Sequence, residues 1–100
     1  MNLSETYIFT YIAEFRGGTY CTQVSAINIE TSILKWFERI NNEKEEIKYL
    51  GLKTLEDLKQ QININDNSPI PLKGLKNIWF LSLRTKSGQF SINIIKTSNH

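Results

Sequence analysis

Two adjacent glycines, Gly17 and Gly18, stand between two runs that alternate with the period of a β-strand. This pattern constrains the fold more than any other stretch of the chain. The run Tyr7–Phe15 places Phe9, Tyr11, Ala13 and Phe15 on one face and Ile8, Thr10, Ile12 and Glu14 on the other. Residues 19–26 form the second run. A Gly17-Gly18 turn suits a type I′ hairpin, whose two central residues both need positive φ. It sets Arg16 opposite Thr19, Phe15 opposite Tyr20, Ala13 opposite Thr22 and Tyr11 opposite Val24. The aromatic face then shares its side with Tyr20 and Val24. A slip of one residue would mix the faces, so register and pattern agree.

A helix follows over 29–40. Asn28 is a good N-cap, and Glu30 near the start with Lys35 and Arg39 near the end complement the helix dipole. Ile29, Ile33, Trp36, Phe37 and Ile40 form one apolar stripe, flanked by Leu34. This stripe is expected on the aromatic face of the sheet, so Trp36→Ala should cost roughly 3–5 kcal/mol. Asn41-Asn42 ends the helix, and 46–50 fits either an edge strand or more helix. Thr54-Leu55-Glu56-Asp57 resembles a capping box with Asp in place of Glu. Leu55, Leu58 and Ile62 then outline a short second helix. Residues 63–71, with Pro69 and Pro71, form a loop.

A second hairpin closes the chain, with strands over 77–84 and 89–97 joined by Thr85-Lys86-Ser87-Gly88. Pairing Arg84 with Gln89 aligns Leu83 with Phe90, Leu81 with Ile92 and Trp79 with Ile94, a clean apolar face. Ser98, Asn99 and His100 read as a frayed tail. The expected fold is α+β: a single domain over residues 1–100, a two-layer sandwich in the order ββα(α)ββ. Its antiparallel sheet, built from two β-hairpins, packs on one main helix.

The face turned away from that helix carries Ile8, Ile12, Ile78, Phe80 and Ile95, more apolar than a solvated face should be. The preferred reading is that the second helix covers part of it through Leu55, Leu58 and Ile62. The remainder is then an interface with a second copy or another partner.

The net charge of +2 hides an asymmetry. Residues 1–66 hold ten acids and seven bases, whereas 67–100 hold five bases, Lys73, Lys76, Arg84, Lys86 and Lys96, and no acid. Basic residues near Trp79, Phe80 and Phe90 suggest single-stranded nucleic acid as an alternative partner; an ordinary solvated surface is the stronger reading. The carboxylates of Glu43, Glu45 and Glu46, and of Glu56 and Asp57, lie in the most polar part of the chain. They suit a solvated or partner-binding surface better than an acid–base pair. Glu14 is expected to pair across strands with Arg84 or Lys96. Gly17-Gly18 lacks the spacing and strand-to-helix context of a phosphate loop.

Cys21 is the one cysteine and His100 the one histidine. One of each at opposite ends makes neither a zinc site nor a nucleophile–base pair. No cofactor is expected, and an enzyme is disfavoured because nothing assembles nucleophile, base and orienting group. Residues 1–5 carry no basic or apolar run, and no stretch approaches about 20 apolar residues. A cytoplasmic protein is therefore expected.

The run Tyr7-Ile8-Phe9-Thr10-Tyr11-Ile12-Ala13-Glu14-Phe15-Arg16-Gly17-Gly18-Thr19-Tyr20, followed by Ala26-Ile27-Asn28-Ile29-Glu30 and Trp36, resembles small bacterial proteins of about this length. In size and α+β make-up the chain is similar to immunity proteins of bacterial toxin systems. That resemblance implies protein binding and carries no residue roles. The favoured function is a non-catalytic protein-binding module, in immunity or inhibitor form. It would act through Glu43, Glu45, Glu46, Glu56 and Asp57, with Phe80 on the second face, towards another protein or a second copy.

Overall fold

A computed structural model describes residues 6–47, 50–64 and 69–98. Strands β1 (Tyr7–Phe15) and β2 (Gly18–Ala26) lead into helix α1 (Ile29–Asn42), a 3-10 turn at Lys44–Glu46 and helix α2 (Leu52–Ile64). A two-residue strand β3 (Ile70–Pro71) precedes β4 (Ile78–Thr85) and β5 (Gly88–Ser98). The five strands form one antiparallel sheet in the order β2-β1-β5-β4-β3. The last strand is therefore the middle one, inserted between the first strand and its own hairpin partner.

The first hairpin differs from expectation by two residues. Phe15 lies opposite Gly18, Ala13 opposite Tyr20, Tyr11 opposite Thr22 and Phe9 opposite Val24. The turn residues are Arg16 (φ +48) and Gly17 (φ +84), not the glycine pair. A two-residue shift keeps every side chain on its expected face. What it changes is size matching. The expected register puts Phe15 beside Tyr20. The observed one pairs each large residue with a smaller one, and leaves the Phe15 ring stacked on Phe90 at 4.1 Å. A Cβ on Gly18 would come within 2.5 Å of the Tyr20 hydroxyl, so the Tyr20 ring would have to move to admit it.

In α1, the Asn28 side chain accepts from the Thr31 N–H at 2.8 Å, the expected cap. Trp36 and Ile40 are buried, and Ile29 and Phe37 are half-buried against the core. Trp36 stacks on Tyr11 at 5.3 Å and meets Phe90 edge-on at 6.4 Å. The Ser32 hydroxyl donates to the Ile29 carbonyl, so the buried Tyr11 hydroxyl is the donor in the 2.6 Å bond between them.

Helix α2 starts earlier than the capping box suggests. Thr54 lies inside its first turn, buried, and its hydroxyl bonds to Ser87 at 2.8 Å. Of the segment 46–50 before it, Glu46 closes the 3-10 turn, residues 48 and 49 lie outside those described, and Ile47 and Leu50 are buried in the core. The loop expected over 63–71 is shorter: α2 runs to Ile64, residues 65–68 lie outside those described, and Ile70–Pro71 pairs with Phe80 and Trp79 as an edge strand.

The second hairpin has the expected register, Arg84 with Gln89 through Trp79 with Ile94, and β5 extends to Ser98 opposite Tyr7. Asn77, at φ +62, is a turn residue before β4 rather than its first member.

Both helices sit on one side of the sheet. α1 lies over β2 and β1, α2 lies against β4, and their apolar side chains join a single core with the aromatic face. The expected cover of the second face by α2 is thus not found. Leu55 and Leu58 are spent on the same core as Trp36.

Candidate interaction surface

The sheet face opposite the helices is assembled by the pleat. Ile8, Ile12, Ile78, Phe80 and Ile95 stand on it, each half-buried by its neighbours, and Ile70 adds an exposed side chain from β3. The pairings bring these residues together in rows. Ile12 and Phe80 both lie opposite Asn93 of the middle strand, with Ile70 beyond Phe80 and Cys21 beyond Ile12. The next row holds Thr10, Ile95 and Ile78. Among the described residues neither helix covers this face.

Strand alternation leaves two charged side chains on the face, Glu14 and Arg84. Glu14 lies between Thr19 and Ser91, not opposite a base as expected. Lys96 is on the helix side, with its ammonium 4.0 Å from the centre of the Tyr7 ring.

Helix side chains occupy part of the outward backbone of β2 and of the end of β4. Ser25 and Gln23 of β2 turn their carbonyls outward; Lys35 Nζ donates to the first at 2.8 Å and Arg39 Nη1 to the second at 3.1 Å. Glu43 holds Arg39 in place through a 3.1 Å ion pair. On the other side, the Gln61 amide bonds both the N–H and the carbonyl of Arg84. Asp57 accepts from the Lys86 N–H at 3.0 Å, and Arg16 donates to the Ser87 carbonyl at 2.6 Å. Each helix thus uses two polar side chains four residues apart to occupy backbone groups that an incoming strand would need.

This geometry sorts the acidic candidates. Glu43 and Asp57 have structural partners, while Glu45, Glu46 and Glu56 are exposed. The bases of the second half are dispersed. Lys73 and Lys76 precede β4, Lys86 is in the turn at its far end, Arg84 is on the open face and Lys96 on the other. Phe90 is buried and Trp79 half-buried against the core. Only Phe80 of that aromatic set stands on the open face, so no single basic and aromatic stripe forms.

Lys35, Arg39 and Gln61 are roles that sequence reasoning did not assign. The available signal was the placing of long polar side chains four apart beside an apolar stripe. A groove of ≈ 670 Å³ lies beside the start of α2, lined by Ile47, Leu50, Leu52, Thr54 and Ser87, with Lys53 its one titratable side chain among those described. Cys21 is exposed on edge strand β2. Burial raises the Tyr11 hydroxyl pKa well above its ordinary value of 10. Among the described residues, no cluster of three or more His, Cys, Asp or Glu is placed to hold a metal ion, and no helix is long and apolar enough to cross a membrane. No family model, curated protein or solved structure matches this chain, so its functional reading rests on the geometry above.

Proposed function

We propose that the chain is a small non-catalytic protein-binding module that works through the open face of its sheet. One observation carries the reading. The face presents isoleucines and a phenylalanine from β1, β4 and β5, is nearly free of charge, and has neither helix over it. Interface centres are depleted of charge and enriched in large apolar side chains in the same way. An inhibitor of a basic partner is a second form of the proposal, favoured by the exposed Glu45, Glu46 and Glu56. Its association would be fast and would weaken with salt.

The test is a photo-crosslinking amino acid placed at Phe80, compared with the same group at Leu34, which is 54% exposed on α1. In cells expressing the chain, discrete protein adducts from position 80 and none from position 34 are expected. Adducts to nucleic acid alone, or the same pattern from both positions, would rule the reading out.

A further inference from the structure

We propose that the occupant of the open face is a second copy of this chain, packed sheet against sheet about a two-fold axis that runs near β5. This rests on the reading of the face as a protein-binding surface and names the partner.

Three features favour a second copy. The first is charge. The face carries one acid and one base, Glu14 on β1 and Arg84 on β4, so it is neutral and able to complement itself. The two lie on either side of β5, roughly 12 Å apart along the backbone lattice, and they form no ion pair with each other. A two-fold axis lying in the face along β5 carries each across that strand, so Glu14 of one copy comes level with Ser82 of the other, one same-face position from its Arg84. Across the roughly 10 Å between packed sheets the two extended side chains can then reach each other. A surface shaped for a basic toxin or for nucleic acid would instead carry one sign of charge.

The second feature is the apolar row. Ile12 and Phe80 flank Asn93 on opposite sides. The same axis lays Ile12 of one copy over Phe80 of the other, and the two Asn93 side chains meet at the centre. A self-complementary patch of this kind is what an isologous interface requires.

The third is size and access. Five strands about 4.8 Å apart and up to 30 Å long give a footprint on the order of 600 Å² before side-chain relief, close to the ≈ 800 Å² per partner of a stable interface. Edge-to-edge addition is hindered at Gln23 and Ser25 of β2 and at the Arg84 end of β4, where Lys35, Arg39, Asp57 and Gln61 occupy backbone groups, whereas the face is open to packing as in a β-sandwich.

The experiment is sedimentation equilibrium on the full chain and its variants, each checked for folding by far-UV circular dichroism. A dimer of twice the 11.6 kDa chain mass is expected. Phe80→Asp should yield a folded monomer. Glu14→Arg alone and Arg84→Glu alone should each weaken the dimer by about tenfold or more, because like charges then face each other twice. The combined Glu14→Arg/Arg84→Glu chain should recover it. A wild-type monomer at millimolar concentration overturns the proposal, as does a dimer indifferent to Phe80→Asp, or single charge reversals that the combined variant fails to rescue. If the protein is monomeric while position 80 still crosslinks to a different protein, the binding function stands and the second-copy assignment falls.

Discussion

Arg16 occupies a left-handed backbone position, φ +48, although glycine is available one residue later. Placing a non-glycine residue there costs roughly 1 kcal/mol. It is offset by the register that results: Phe15 faces a residue without a side chain and stacks on Phe90, and the Arg16 guanidinium bonds the Ser87 carbonyl of the other hairpin. Gly17→Ala, at φ +84, should lower the unfolding free energy by about 1 kcal/mol through backbone strain alone. Gly18→Ala should act instead by displacing the Tyr20 ring. A circular dichroism melt of Gly17→Ala, together with the Tyr20 ring signals of Gly18→Ala, separates the two. At Tyr11 the burial is polar and asymmetric. Ser32→Ala leaves a buried hydroxyl with no acceptor and should cost about 1–3 kcal/mol, more than the roughly 1 kcal/mol of Tyr11→Phe, which removes the donor itself. Because the folded-state pKa of Tyr11 lies above its unfolded value, its contribution is complete below pH 10 and declines as the pH rises above it. Denaturant unfolding at increasing alkalinity should therefore show wild type losing stability faster than Tyr11→Phe above that pH.

At the scale of the element, the two helices do more than cover the aromatic face. α1 lies over edge strand β2, and α2 lies against β4, whose far end β3 does not pair; each uses residues four apart, Lys35 with Arg39 and Asp57 with Gln61, to occupy outward backbone groups. The sequence places Lys35 and Arg39 to complement the dipole of α1, and Arg39 does lie in its last turn. These two, and Thr54 and Asp57 of the expected cap, also bond groups outside their own helix, at distances in sequence from 10 to 33 residues. Replacing Lys35 and Arg39 together by alanine should change stability by only about 1 kcal/mol, since both bonds are solvent-exposed. The same change uncovers the Ser25 and Gln23 carbonyls. The expected outcome is faster aggregation in light scattering under mild heating, with Leu34→Ala as the unaffected control. Equal aggregation of the two variants would show that these cations do not protect the edge.

For the whole molecule, the insertion of β5 between β1 and β4 makes the end of the chain the centre of the sheet. A chain ending at Ser87 loses the partner of β1 and the partner of β4 together. It should show no cooperative unfolding transition and no near-ultraviolet signal from Trp36. The open face follows from the same arrangement: β1, β4 and β5 are the strands with large apolar side chains on both sides, whereas the outer side of β2 reads Thr19, Cys21, Gln23 and Ser25. What the sequence determined alone was everything set by a short period: the two hairpins, the face each side chain occupies, the second register, the Asn28 cap and the Trp36 stripe. These depend on neighbours two to four residues away, where the alternation of strands and the turn of the helix act directly. Strand order, the two-residue shift of the first register, the joining of both helices to one layer and hence the bare second face were decided only in three dimensions. They turn on how Phe15 fits beside Gly18 and Phe90, and on which strands have apolar side chains to bury on both faces. Such contacts join residues as far apart as Tyr7 and Ser98, a separation that local patterns do not encode.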